Sequence, residues 1–163
     1  GTGTGSGASY DVTLEIGEGL TGMSGLNIYG GISNVSSTGV ADNDGDRQEE
    51  TIGVSYAIGG FTLGYQWSEQ DLGISASEQQ YDNEGYGITF AINDDLSIGY
   101  NHYESEQLKG TAYVTAEASS IQIAYSVGGA SIRVAESDAD NTAYQTAKGY
   151  DKSGTVLSVS LAF

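Results

Sequence analysis

The densest group of possible ligands in the chain is the stretch DNDGD at 42–46, where Asp42, Asp44 and Asp46 alternate and Glu49 and Glu50 follow. Closely spaced carboxylates can supply the oxygen shell that Ca2+ prefers. The helix–loop–helix calcium pattern fails, however, because Gly45 is displaced from the sharp-turn position and Gly53 stands where a bidentate Glu is required. A solvated acidic loop is the plainer reading, with a loop Ca2+ site at Asp42, Asp44 and Asp46 as its alternative. His102 is the sole histidine. Without a second His or a nucleophile arranged beside it, interfacial packing is expected rather than acid–base chemistry. The remaining carboxylates are spaced as solubilising loop acids, not as a general acid and base. The opening GTGTGSG comes near the glycine spacing of a dinucleotide loop, but such a loop must follow a strand and open a helix. Neither flanks it. No enzymatic chemistry and no required cofactor are expected.

Composition narrows the classes further. There is no Cys in 163 residues, so no disulfide framework or thiolate metal site can form. The 22 acids against five Lys plus Arg give a formal charge of −17, the wrong sign for meeting nucleic-acid phosphates. No apolar run approaches the roughly 20 residues of a membrane-spanning helix. Spanning strands give a much weaker signal per segment, so that test leaves a barrel open.

Nine stretches alternate apolar and polar residues with period two. Their apolar rows are Tyr10–Ile16, Leu26–Ile32, Ile52–Ile58, Phe61–Trp67, Tyr86–Ile92, Leu96–Tyr100, Ile121–Val127, Ile132–Val134 and Leu157–Phe163. No helical period competes with them, so the chain is expected to be all-β. Short turns fall at Gly59-Gly60, Asn93-Asp94-Asp95 and Gly128-Gly129, residues that tolerate positive φ, with 17–25 a longer member of the set. Long polar segments at 36–49, 68–84, 104–117 and 136–153 alternate with them and are expected to be loops. Seventeen of the 22 acids lie in or at the edges of those segments, and only Asp11, Glu15, Glu18, Asp94 and Asp95 lie elsewhere. An up-and-down meander with short turns at one end and long acidic connections at the other has the form of a transmembrane β-barrel.

The two faces of each stretch differ in kind. Opposite the apolar rows stand small neutral residues such as Gly53, Ser55 and Ala57, or Ser120, Gln122 and Ala124. Lys and Glu, usual on a solvated sheet face, are almost missing there. Small residues suit the wall of a water-filled lumen, and the apolar rows would then face membrane lipid. Tyr10, Phe61, Trp67, Tyr86 and Phe163 end the apolar rows, where aromatic girdles meet the two interfaces. Asp11, Glu15, Gln66, Asn101, Gln122 and Arg133 are the candidates to line the pore. Arg133, the one base within a strand stretch, either forms a buried ion pair with Glu15 or another acid, or tunes ion passage.

The terminal GTVLSVSLAF, the YAIGGFTLGYQW and AYSVGGASIRV hairpins and the acidic loops resemble the C-terminal part of Gram-negative general porins, particularly the alphaproteobacterial type. The resemblance covers nearly the whole chain. It implies an outer-membrane homotrimer of barrels, in contact with lipopolysaccharide and outer-membrane lipid, that passes small hydrophilic solutes by passive diffusion. It also implies that the last strand, ending in Phe163, is an assembly signal read by the outer-membrane assembly machinery. Bacterial barrels have an even number of strands, and nine is odd. The expectation is therefore that residues 1–163, one barrel domain, supply strands eight to sixteen of a 16-stranded barrel whose constriction loop lies in the missing part. The alternatives are a complete eight-stranded barrel beginning near Leu26, with residues 1–25 as a leader, and an acidic, calcium-binding, adhesin-like β-protein without channel activity. The fragment is preferred because Tyr10–Ile16 alternates as cleanly as any other stretch. Acids gathered at one rim predict a weakly cation-selective pore.

Overall fold

The computed structural model describes residues 8–36, 45–73 and 78–161. Nine strands make one sheet: β1 (Ser9–Ile16), β2 (Leu26–Val35), β3 (Arg47–Ile58), β4 (Phe61–Asp71), β5 (Glu78–Ala91), β6 (Leu96–Lys109), β7 (Ala112–Val127), β8 (Ala130–Asp140) and β9 (Lys152–Leu161). Their order in the sheet is their order in the chain, and every neighbouring pair is antiparallel. The protein is an all-β, up-and-down meander. β1 pairs with β2 from Ser9↔Val35 to Ile16↔Ile28. Ser9–Ile16 is thus paired into the sheet like the other strands.

The turns at one end form as their residue types dictate. Gly59, Gly128 and Gly129 adopt positive φ (57°, 56° and 84°) in the β3–β4 and β7–β8 connections. Between β5 and β6, Asn93 Oδ1 accepts from the backbone N–H groups of Asp95 and Leu96, both at 2.9 Å, closing an Asx turn. A single helical turn, α1 (Glu18–Thr21), joins β1 to β2.

The opposite end differs from the expected row of four long loops. Residues 104–117 are almost entirely strand, because β6 runs to Lys109 and β7 resumes at Ala112. β4 continues to Asp71, β5 begins at Glu78, and β8 reaches Asp140. The strands extend well past their apolar rows because ladder hydrogen bonds do not depend on side-chain polarity. Once both faces are wet, the apolar alternation stops while the pairing goes on.

The side-chain rows locate the apolar band. Cross-strand partners on the outward face form rows perpendicular to the strands. In the row Val12–Ile32–Glu50–Glu69–Asp82, apolar gives way to acid between β2 and β3. In the next, Gly30–Ile52–Trp67–Glu84–Glu104, the change falls between β4 and β5. In Tyr56–Leu63–Ile88–Tyr100–Ile121–Glu136 it falls between β7 and β8. From Glu50 to Tyr56 along β3 the boundary has therefore crossed five strands, a slip of about one residue per strand. With a rise of about 3.3 Å per residue and strands about 4.8 Å apart, a level boundary requires strands tilted by roughly 35–40°. That is the tilt of strands in a barrel.

Among the described residues no hydrophobic side chain is buried, and the outward row stands open: Leu14 is 62% exposed, Ile52 54% and Leu157 66%. Soluble surfaces rarely carry a contiguous apolar band of this extent. The fold leaves that face to a non-aqueous neighbour.

Candidate functional site

The inward face is built from the opposite parity. Tyr29 on β2 lies flat across β3 and donates its hydroxyl to Gln66 Oε1 on β4 at 2.9 Å. It can do so because residue 53 between them is glycine, where a Cβ would sit 2.3 Å from Tyr29 Cζ. A side chain reaching over an intervening strand marks this face as the concave one. Gly53→Ala should force the ring away and break the bond to Gln66, costing about 1–3 kcal/mol. Gly64→Ala, at a position with nothing within 4 Å of the added methyl, should be near neutral in the same refolding titration into lipid vesicles. Equal losses would contradict this packing.

A polar network lies further along the same face. Ser105 and Gln107 on β6 are the buried polar side chains of the described protein, 3% and 4% exposed. Asn83 Oδ1 on β5 accepts from Tyr103 Oη at 2.7 Å and from Ser105 Oγ at 2.5 Å. Gln107 Nε2 donates to Tyr81 Oη at 2.5 Å. The β8–β9 connection folds back over these groups: Tyr144 Oη lies 2.7 Å from Ser105 Oγ, and its ring centroid is 5.6 Å from that of Tyr81. Asn141 Nδ2 anchors the connection to the Thr115 carbonyl at 2.9 Å.

All six candidate lining residues fall on this inward face by register. Asp11 and Gln66 border a hollow of about 680 Å³, together with Glu49, Gln70, Tyr81 and Tyr144. Gln66 and Asn101 border a second of about 370 Å³. Glu15, Gln122 and Arg133 line neither. Glu15 Oε1 accepts from Asn27 Nδ2 at 2.9 Å, while Arg133 is exposed on β8. A buried Arg133–Glu15 pair therefore does not form, because the two stand at opposite ends of the strand order. Asp42, Asp44 and Phe163 lie outside the described residues. Asp46 accepts from Ser36 Oγ at 3.3 Å. No group of three or more His, Cys, Asp or Glu side chains among the described residues is placed to hold a metal ion. His102 packs its ring 5.2 Å from that of Tyr86 at the edge of the apolar band.

The acids of the extended strands mostly face outward. Glu50, Glu69, Asp82, Glu84, Glu104, Glu106, Glu117 and Glu136 share the parity of Ile52 and Trp67 and lie beyond the apolar band. The inward carboxylates among described strand side chains are Asp11, Glu15 and Glu49, and the inward bases are Arg47, Arg133 and Lys152. Arg47 is paired with Glu49. The wall itself is thus close to charge balance.

The tyrosine–amide network is absent from the list of candidates read off the sequence. Its signal is an alternation of a second kind. Tyr81, Asn83 and Gly85 are neutral against Asp82 and Glu84, and Tyr103, Ser105 and Gln107 are neutral against Glu104 and Glu106. Period two persists there in charge rather than in hydropathy.

No protein-family model matches the chain, and no curated protein sequence does. Among solved structures it is similar to the outer-membrane expressed OmpT of Vibrio cholerae, with a TM-score of 0.58 at 15% identity over 93% of this chain and 53% of that one. The chain spans about half the length of that protein. At this identity the likeness is one of fold, and it places the nine-stranded meander among outer-membrane β-barrel architectures.

Proposed function

We propose that the chain forms part of the wall of an outer-membrane porin in a Gram-negative bacterium, a water-filled barrel that small hydrophilic solutes and ions cross by diffusion. The observation that carries the reading is the level apolar band crossed by tilted strands, with a small, polar, concave face behind it. One side of such a sheet requires lipid and the other water. β1 and β9 run in the same direction and cannot close on each other with antiparallel pairing. An odd number of further strands would complete the barrel, and seven would make sixteen. The outward acids beyond the band stand at the depth of lipopolysaccharide headgroups. A trimer, and recognition of the strand ending in Phe163 by the assembly machinery, belong to the same proposal.

Reconstitution of the complete barrel polypeptide in planar bilayers tests it, with stepwise conductance expected and a silent bilayer counting against it. Ion preference should be weak. The wall is nearly balanced in charge, so cation preference arises from the outward and rim acids acting through solvent at the mouth. It should fade as the Debye length falls from about 10 Å at 0.1 M to about 3 Å at 1 M salt. Reversal potentials across KCl gradients should show a small cation-selective sign at low salt that vanishes at high salt. An anion-selective sign at low salt would overturn the selectivity.

A further inference from the structure

The hollow under the β8–β9 connection combines features that select a ligand. Tyr81 and Tyr144 present ring faces whose hydroxyls are tethered by Gln107 and Ser105, so the rings are fixed before anything binds. The Gln66 carbonyl is used by Tyr29, leaving its amide nitrogen as a donor. Gln70 Nε2 is used by Glu49 at 2.6 Å, leaving its carbonyl as an acceptor. Glu49 is in turn neutralised by Arg47. Asp11 adds a further carboxylate and no Lys or Arg borders the hollow, so donors and acceptors stand side by side in a net negative setting, which favours groups that both donate and accept, namely hydroxyls, over anions. The aromatic faces match the apolar C–H face of a pyranose ring. The volume of about 680 Å³ lies within the range of small-ligand sites.

The backbone is held for this placement. Asn141, Ala143 and Tyr144 all adopt left-handed φ (52°, 57° and 53°), a costly run for residues other than glycine. Such conformations persist where surrounding contacts over-determine them, and they cluster at ligand sites. Here the contacts are Asn141 to Thr115, Thr142 Oγ1 to the Tyr150 carbonyl at 2.5 Å, and Tyr144 to Ser105.

We propose that this hollow is a binding site for a neutral saccharide, with Tyr81 and Tyr144 as its ring platforms and Gln66 and Gln70 as its hydroxyl partners. Its use as a step in permeation rests on the porin reading, whereas the binding does not. Saturation-transfer NMR with methyl glucoside, maltose and glucuronate on the detergent-solubilised chain separates the two. The glucoside and maltose should bind saturably in the millimolar range, and Tyr144→Ala and Tyr81→Ala should each weaken them about tenfold. Tyr144→Phe, which keeps the ring but loses its tether to Ser105, should weaken binding less than Tyr144→Ala, and Ser158→Ala on the remote strand β9 should stay close to the parent. Anionic glucuronate should bind far more weakly. No saturable signal, equal binding of glucuronate, or indifference to both alanine variants would overturn the site. Conductance with no sugar binding would leave the porin standing without this site, and sugar binding without conductance would do the reverse.

Discussion

Val54→Arg should destabilise the protein in lipid by about 2–4 kcal/mol, whereas Ser55→Arg should cost far less. Val54 lies in the outward row Ile28–Val54–Tyr65–Tyr86, inside the apolar band. A guanidinium there must be drawn out of water or bend the side chain to an interface. Ser55 is one residue along β3 and pairs with Asn27 and Gly64 on the concave face, where Cβ additions at Gly64 meet nothing within 4 Å. An arginine at 55 has both room and solvent. Adjacent positions share backbone, secondary structure and propensity, so the difference between them isolates what each face touches. An equilibrium refolding titration into vesicles measures both. Equal losses would mean that the apolar face is not against lipid.

Asn83→Leu should cost about 2–3 kcal/mol, because one carbonyl oxygen holds two strands and a returning connection in place. Its Oδ1 accepts from Tyr103 and Ser105. Tyr103, 46% exposed, can turn its hydroxyl to water. Ser105, at 3% exposure, has no such access and keeps Tyr144 Oη alone as a partner, and losing a hydrogen bond at a buried polar group costs about 1–3 kcal/mol. Leucine keeps asparagine's branched shape and heavy-atom count and leaves no cavity, so the loss reports hydrogen bonding together with any crowding from the two methyl groups. Asn101→Leu on the same face is exposed and should change stability by no more than about 0.5 kcal/mol. Urea unfolding of the vesicle-inserted protein compares them. Matching losses would remove the Asn83 network from the account of what holds β5, β6 and the connection together.

The alternation of Ile52, Val54 and Tyr56 against Gly53, Ser55 and Ala57 is a local signal, and it identifies strands and their apolar and polar faces. The glycine and Asx turns are local as well, set by the φ values their residues tolerate. In this way the amino-acid sequence determined nine strands, their up-and-down order and the inward parity of Asp11, Gln66 and Arg133. It did not reveal that β6 and β7 continue through Glu104–Glu117, since beyond the apolar band cross-strand pairing alone sustains the ladder. Nor did it reveal that Asn83, Ser105 and Tyr144 would meet, because they are joined only after register has been chosen across several strands. The tilt was likewise a tertiary decision. Each strand carries its own apolar row, but only the stagger between neighbours turns separate rows into one level band.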